Sequence, residues 1–538
     1  MLELPKNRWT VTEVIREQAK RYGDREFLRH EDGSTLSFAD LEHRCAALAS
    51  GLARLGVKQG DRVLAFLFNH PSMLLVLAAA NRLGAIFVPI NTELKGAFLE
   101  HQVRNSSARV VVADGALLPV LAAINLDACS VETVLTVGPV EAGHAAAFGR
   151  RAVLPLDSAF EDAAASTPAV EPTPRDISTV IYTSGTTGPS KGVLMPHAHC
   201  YLLGRNLARV LELTEDDIYY VCMPLFHTNA LFMQVFGSLL AGTRVALVTR
   251  FSASRWLDDV RRSRATVTNA LGVMPEFIYR QPPTPHDSDN SLRMMMAVPI
   301  AKEWGADFES RFGVSFVQGF GLTESNILCY TSADERLEPG CCGRVLDEWF
   351  EVKIVNPETD EEVPTGETGE IVVRPKHPWC FMAGYLDMPE RTVEAWRNLW
   401  FHTGDAGRFD ERGRLFFIDR IKDCIRRRGE NISSYEVEQV LNTHAAVAES
   451  AVVGVPSAVP GGEEEIKAYI VAKPGAQPAP SELTGFCVDR MPRFAVPRYI
   501  EFVSELPKTQ TGKVKKQELR SRGITAETWD GGETQRRR

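Results

Sequence analysis

The stretch "DRVLAFLFNHPSMLLVLAAANRLGAIFVPIN" constrains the fold more than any other part of this chain. Its ends are short apolar runs of strand length, and the segment between them opens on a proline and carries apolar residues at helical spacing. Strands joined through a helix lie parallel, because a parallel neighbour needs a crossover rather than a hairpin. "ARVVVAD", from Ala108 to Asp114, adds another strand after a further helix. The pattern returns in "DIYYVCMP", a helix through Leu240, "RVALVT", a helix through Ser263, and "ATVTNAL". Two such runs predict an α/β fold with two doubly wound layers inside one large N-terminal domain. After Gly340 the chain turns to short β segments and turn-rich stretches such as "NPETDEEVPTGETGE", which predict a small strand-rich subdomain. A last α/β unit begins near "DRIKDCIRRRGENISSYEVEQVL", where Ser433 or Ser434 would cap a helix starting around Tyr435. The expected division is an N-terminal domain over 1–420, a mobile C-terminal domain over 421–520 and a flexible tail over 521–538.

Composition removes whole classes of function. A chain of 538 residues is too long for one core, and a net charge of -9 argues against general binding to nucleic acid or an anionic membrane. The most apolar region, Val63 to Ile90, is interrupted by Asn69, His70, Pro71, Asn81 and Arg82, so it does not read as a membrane span. Ten cysteines are scattered, only Cys341 and Cys342 stand together, no CxxC occurs, and His197 and His199 have no cysteine nearby. That is no zinc framework. The first residues, "MLELPKNRW", have no apolar signal core, and "WDGGETQRRR" carries no lipidation or peroxisomal signal, so a reduced, cytoplasmic setting is expected.

The segment "YTSGTTGPSKGV", Tyr182 to Val193, follows the apolar run "STVIYT" and packs seven Ser, Thr and Gly residues ahead of one lysine. It lacks Walker spacing. By composition alone, a flexible linker and an anion-binding loop are equal readings. In the second reading, backbone N–H groups, hydroxyls and Lys191 would grip phosphate oxygens, with Gly185, Gly188 and Gly192 letting the backbone curl.

From here the chain resembles the adenylate-forming superfamily of acyl- and aryl-CoA ligases, peptide-synthetase adenylation domains and luciferases. Thr183 to Gly192 is similar to that family's phosphate loop throughout, and "MPLFHTNA", "QGFGLTES", "FHTGDAGRFD", "DRIKDCIRRRGENISSYEVE" and "PKTQTGKVKK" follow in the family's order. The resemblance spans roughly residues 10 to 520. It implies that ATP and a carboxylic acid form an acyl-adenylate, which a thiol, usually that of coenzyme A, then attacks. Both steps move negative charge, so fixed donors and a metal ion would dominate catalysis. The roles it implies are specific. Thr183, Ser184, Gly185, Thr186, Thr187, Gly188 and Lys191 would hold the β- and γ-phosphates. Phe320 would lie against adenine, Thr323 would contact the α-phosphate, and Glu324 would help bind Mg²⁺. Asp405 and Arg420 would bind ribose. Lys513, in "TQTGKVKK", would bridge the carboxylate and the α-phosphate, Lys422 would be the hinge, and Gly429 would border the pantetheine channel. Arg426, Arg427 and Arg428 would either meet the anionic end of coenzyme A or form a solvated basic face.

His227, in "PLFHTNA", is expected near the acyl carboxylate, with a satisfied core histidine as the other reading. Amino-acid-activating relatives commonly carry an aspartate there, and this chain has no acid from His227 through Leu231. No carrier domain follows, which favours coenzyme A as acceptor. "MPLFHTNA", "RATVTNALGVMP", "QPPTPHD" and "RRGENISSYEVE" most resemble the crotonobetaine/carnitine-CoA ligase branch. Where that branch has a small turn before proline, this chain has "MMMAVP", whose three methionines would line an adaptable pocket or simply fill core. The leading expectation is an AMP-forming acyl-CoA ligase acting on a small or medium acid. The alternatives are a stand-alone enzyme loading a carrier protein and a non-catalytic nucleotide-binding regulator.

Overall fold

The computed structural model describes residues 1–160, 170–183, 190–272, 274–298, 300, 304–332, 335, 337–338, 340–421, 425–427, 430–432, 434–456, 464–488, 490–491, 493–508 and 513–532. Two compact units divide the chain. One comprises Met1–Glu351 with Arg374–Leu399, the other Val352–Val373 with Trp400–Arg538.

In the first unit the strands Arg62–Phe66 and Ile86–Pro89 lie parallel, Val63 opposite Phe87, and the helix Ser72–Arg82 makes the crossover. Val110–Asp114 pairs in parallel on the other side of Arg62–Phe66. Residues Ser72 to Asn81 are buried, as a helix packed on a sheet requires. The polar residues that interrupt this apolar region serve the backbone. Asn69 donates to Met223 O at 2.9 Å and Val248 O at 3.0 Å and accepts from Leu225 N–H at 2.8 Å. Asn81 donates to Ser178 O at 2.8 Å and accepts from Ser178 Oγ at 2.7 Å. Both side chains are buried and hydrogen-bonded, so neither carries the cost of an orphaned amide.

These strands belong to an eight-stranded sheet ordered Gly384–Tyr385, Lys191–Pro196, Ile177–Thr183, Ile86–Pro89, Arg62–Phe66, Val110–Asp114, Thr133–Val137, Ala152–Pro155. The second βαβαβ run forms a seven-stranded sheet ordered Ser315–Val317, Met294–Val298, Val267–Leu271, Ile218–Val221, Arg244–Leu247, Glu26–His30, Thr35–Ser37. Its pairs are parallel except the last, which is a hairpin. Beyond that hairpin the helix Phe38–Arg54 starts on a capping box, Ser37 accepting from Asp40 N–H while Asp40 accepts from Ser37 N–H. Two doubly wound layers are therefore present. One element departs from expectation: the helix through Leu240 runs as a π-helix over Asn229–Phe236 before its α-turn Gly237–Ala241.

The second unit holds the antiparallel strands Phe401–Phe409 and Arg414–Arg420 and the strand Gly369–Pro375 as far as Val373. It also contains a sheet ordered Val447–Pro456, Glu464–Ala472, Tyr499–Phe502, Trp529–Asp530. That last strand corrects the expected flexible tail. The chain beyond 521 is tied down as far as residue 530, where Trp529 pairs with Ile500, and the buried ammonium of Lys467 donates to Gly523 O at 2.7 Å and Thr528 Oγ1 at 2.8 Å. Residues 533–538 lie outside the described residues. The expected cap also changes. Ser434 is the first residue of the helix Ser434–Asn442, and Asp419 accepts from Ser434 Oγ at 2.6 Å and from Tyr435 N–H at 3.2 Å. A carboxylate from a distant strand thus binds the helix's first donors, an arrangement no local motif announces. Ser433 lies outside the described residues.

Candidate active site

The strands Ile177–Thr183 and Lys191–Pro196 form a hairpin that sets Thr183 directly opposite Lys191. The chain between them contains Ser184, Gly185, Thr186, Thr187 and Gly188, which lie outside the described residues. Gly192 is required by close packing, since a Cβ there would stand 2.8 Å from Val180 Cγ1 and 3.2 Å from Leu386 Cβ. Behind it runs the short strand Gly384–Tyr385, Tyr385 opposite Val193, with Leu386 N–H donating to Gly192 O at 2.8 Å.

That pairing delivers Tyr385 to two expected site residues. Lys191 Nζ lies 4.1 Å from the centre of the Tyr385 ring, within cation–π range. The Tyr385 hydroxyl donates to Glu324 Oε1 at 3.1 Å. Burial, and then the Glu324 charge, push the phenol above its ordinary pKa, so the tyrosine stays a donor. Glu324 is buried, not a solvated surface acid.

Thr323 and Glu324 occupy the turn between the strands Gly319–Leu322 and Asn326–Tyr330. Phe320 sits half-buried on the first strand, opposite Cys329 on the second. The turn is held from behind. His199 is fully buried, with Nε2 at 2.9 Å from Thr323 O and Nδ1 at 3.1 Å from Cys380 O, and Asn326 Nδ2 donates to His199 O at 3.1 Å. Met382 N–H donates to Glu324 O at 3.0 Å. In front, Thr228 Oγ1 donates to Thr323 Oγ1 at 3.2 Å. His227, the next residue, is half-buried with its ring 4.6 Å from that of Phe226. Of the three methionines, Met295 belongs to the core between sheet and helices, whereas Met296 Sδ lies 4.0 Å from Asn269 Nδ2 and opposite Asn269 in register. Strand alternation separates their roles. Pro299 lies outside the described residues.

In the second unit, Asp405 and Arg420 stand opposite each other in register and form an ion pair at 2.7 Å. Asp405 is 2% exposed and Arg420 is half-exposed. Gly404 has φ +71°, a conformation that favours glycine and turns the chain before Asp405. Glu370 fixes this turn by accepting from Gly404 N–H at 3.0 Å and holding His402 Nδ1 at 2.9 Å. Lys513 is exposed as a residue, yet its ammonium is crowded enough that desolvation lowers its pKa. Arg420 lowers it further and Asp405 opposes the decrease. Lys513, Arg420 and Asp405 are thus electrostatically one group.

Arg427 departs from the expected basic face: it is buried, paired with Glu465 at 2.7 Å, and donates to Val496 O at 3.2 Å. Its strand, Ile425–Arg427, turns it inward, so it supplies no surface charge for coenzyme A. Lys422, Arg428 and Gly429 lie outside the described residues. Sequence reasoning passed over Tyr385, Glu370 and the positioning role of His199. A lone tyrosine in "AGYLD" and a glutamate in a strand carry no motif, and only "HAHC" offered a signal. No cluster of three metal-ligating acidic, His or Cys side chains occurs among the described residues, and no helix among them is long and apolar enough to cross a membrane.

Comparison with known proteins gives this geometry its family. The model of the AMP-binding enzyme family matches residues 15–386, and that of the AMP-binding enzyme C-terminal domain matches 436–513. Crotonobetaine/carnitine-CoA ligase of Salmonella agona is 31% identical over 511 residues, covering 93% of this chain and 96% of that protein. Feruloyl-CoA synthase of an Amycolatopsis species is 34% identical over 503 residues, covering 92% and 95% respectively. Among solved structures, ATP-bound MatB from Rhodopseudomonas palustris superposes with a TM-score of 0.81 at 27% identity, over 95% of this chain and 98% of that one. The chain belongs to the AMP-binding enzyme family and is an ATP-dependent, AMP-forming acyl-CoA ligase that uses a carboxylic acid, ATP and coenzyme A.

Proposed function

We propose that this ligase activates a small or medium-sized carboxylic acid without an α-amino group, in the cytoplasm. The observation that carries the assignment of its residues is the Lys191–Tyr385–Glu324 link, in which one tyrosine joins the phosphate-loop lysine to the buried carboxylate. Thr183 and Lys191, with the loop from Ser184 to Gly188, bind the β- and γ-phosphates. Thr323 donates to the α-phosphate from a turn held by His199 and Thr228. Phe320 packs on adenine. Asp405 accepts the ribose hydroxyls with Arg420 beside it. His227 lies by the reacting carboxylate.

Lys513 supplies positive charge to carboxylate and α-phosphate as the acid oxygen attacks phosphorus and pyrophosphate leaves. The coenzyme A thiolate then attacks the acyl carbon and AMP departs, a step in which Lys513 has no part. A domain boundary at the hinge position, Lys422, and a channel past Gly429 belong to the same proposal. Glu324 fits magnesium, which usually takes one or two protein carboxylates and fills its shell with phosphate and water. When bound, the ion neutralises phosphate charge. Absence of an acid from His227 to Leu231 supports a non-amino acid, and the carnitine-type relative supports a compact one.

The test is a carboxylic-acid panel assayed for AMP release with coenzyme A present. We expect kcat/KM to fall in graded fashion along a chain-length series, since one methylene is worth about 1–3 kcal/mol. A steady rise to palmitate would overturn the proposal, as would activation of α-amino acids above every other acid.

A further inference from the structure

A buried polar chain begins one residue beyond Thr228 and serves none of the roles above. The Tyr219 hydroxyl donates to Asn269 Oδ1 at 2.5 Å, Asn269 Nδ2 donates to Asn229 Oδ1 at 3.1 Å, and Gln234 Nε2 donates to the same Asn229 oxygen at 2.6 Å. Tyr219, Asn269 and Gln234 are at most 1% exposed, and Asn229 is half-buried. The direction of the chain follows from its inner end, where the Tyr219 hydroxyl donates to Asn269 Oδ1. Burial pushes the Tyr219 phenol well above its ordinary pKa, so it stays protonated. With Asn269 accepting through Oδ1, its Nδ2 donates to Asn229 Oδ1, to which Gln234 also presents its nitrogen.

Two functions are left over. Gln234 Oε1 is buried and has no hydrogen-bond partner among the described residues. Among the described residues, Asn229 Nδ2 reaches only the Met233 thioether, a weak acceptor at 3.5 Å. An orphaned buried carbonyl is destabilising, and native structures seldom carry one without a use. Both side chains lie on the π-helix Asn229–Phe236, a rare element that recurs at functional sites. Its start is the Thr228 that holds Thr323, and Asn269 lies opposite Met296, whose Cε is 3.0 Å from where a Cβ on Gly319 would stand, next to Phe320. The polar chain thus adjoins the turn that carries Thr323 through Thr228 and the strand that carries Phe320 through Met296.

One acceptor and one donor, both neutral, match a group that gives one hydrogen bond and takes another. We infer that the acid carries a hydroxyl group, whose proton goes to Gln234 Oε1 and whose oxygen accepts from Asn229 Nδ2. This rests on the reading of a compact, non-amino acid bound beside His227. An ammonium does not fit, because the chain holds no carboxylate to balance it. Thioethers of Met233, Met223 and Met296 surround the polar groups and adapt to the rest of the acyl skeleton.

The test uses acids matched except for one hydroxyl: butanoate against 3-hydroxybutanoate, and cinnamate against 4-hydroxycinnamate. In at least one pair the hydroxylated member should have the higher kcat/KM, by about tenfold to a hundredfold, because the site leaves buried polar groups unpaired with the other. Gln234→Met keeps the side-chain volume and should bring that ratio towards one. Asn229→Ala, at a position less buried than Gln234, should do the same. Ratios within about twofold of one in both pairs, or a preference that survives both substitutions, would overturn the hydroxyl inference while leaving the acid class intact. If neither pair supports acid-dependent ATP–pyrophosphate exchange while palmitate or α-amino acids do, the acid class itself fails, and the inference with it.

Discussion

The turn carrying Thr323 and Glu324 and the pair formed by Asp405 and Arg420 solve the same problem in opposite ways. The turn is held by neutral groups: a buried histidine at its carbonyl, a threonine hydroxyl at Thr323 and a phenol on Glu324. Asp405 instead meets the guanidinium of Arg420 at 2.7 Å, with Lys513 in the same electrostatic group. Neutral partners orient a side chain without competing for the charge it is to bind. A charged partner stabilises a buried carboxylate by direct attraction, through a bond that the substrate must replace. The contrast predicts different responses to pH and to substitution.

The largest effect should come from acid acting on the neutral scaffold. His197 Nδ1 accepts from Val11 N–H at 3.2 Å, His199 lies between two carbonyls, and burial lowers both from 6.5 to about 4. In the unfolded chain each protonates near 6.5, whereas the folded protein keeps both neutral down to about 4. The unfolded state then binds more protons, so stability is full above pH 6.5 and falls as pH drops towards about 4. At roughly 1.4 kcal/mol per pKa unit, each histidine accounts for about 3 kcal/mol at most. Urea unfolding across this range should give a slope that loses about one proton in His199→Gln. An unchanged slope in that variant would mean that His199 does not hold the turn in its neutral form.

Next comes Lys513→Ala, expected to slow adenylation by about 10²–10³, as removal of one preorganised donor does elsewhere. The variant should still convert supplied acyl-adenylate and coenzyme A to thioester. Since desolvation and Arg420 lower the Lys513 pKa from 10.5, wild-type adenylation should lose rate on the alkaline side before an ordinary lysine would titrate. Lys513→Arg should move that limb to higher pH. Equal damage to both half-reactions would break the separation of roles.

How much of this was legible in the sequence follows from the same contrast. Lys513, Asp405 and Glu324 stand in motifs, and the parallel layers follow from apolar runs such as "RVLAF" and "IFVPI" that only a sheet covered on both faces can bury. Tyr385, Glu370 and Asp419 were not legible. Each acts on a residue far away in the chain, Tyr385 on Glu324 and Asp419 on the helix at Ser434, so no local spacing encodes it. The π-helix escaped for a related reason. Its apolar residues satisfy an α-helical pattern, and the wider turn depends on what Asn229 and Gln234 reach.

Asp405→Asn tests the charged side more narrowly. It keeps the shape and removes the charge that a ribose contact and Arg420 both use. Hydrogen bonds to charged groups contribute about 1.5–3 kcal/mol, so KM for ATP should rise by roughly tenfold to a hundredfold. Stability should change little, because Arg420 is half-exposed and water replaces its partner. A large fall in stability with unchanged KM would make the pair a structural one.

The smallest effect belongs to Tyr385→Phe. It removes one neutral hydrogen bond to Glu324 Oε1 and keeps the ring beneath Lys191. A bond of this kind contributes about 0.5–1.5 kcal/mol net, which corresponds to a fall of roughly twofold to tenfold in adenylation rate. The effect should depend on magnesium if Glu324 binds the ion. Without the phenol the carboxylate is less well oriented, so the variant should need more Mg²⁺ for half-maximal rate, as loss of a partner behind a metal ligand usually demands. Tyr385→Leu, which also removes the ring, should add a loss in ATP affinity through Lys191. If Phe and Leu behave alike at every Mg²⁺ concentration, Tyr385 orients neither charge, and the neutral scaffold ends at Thr323.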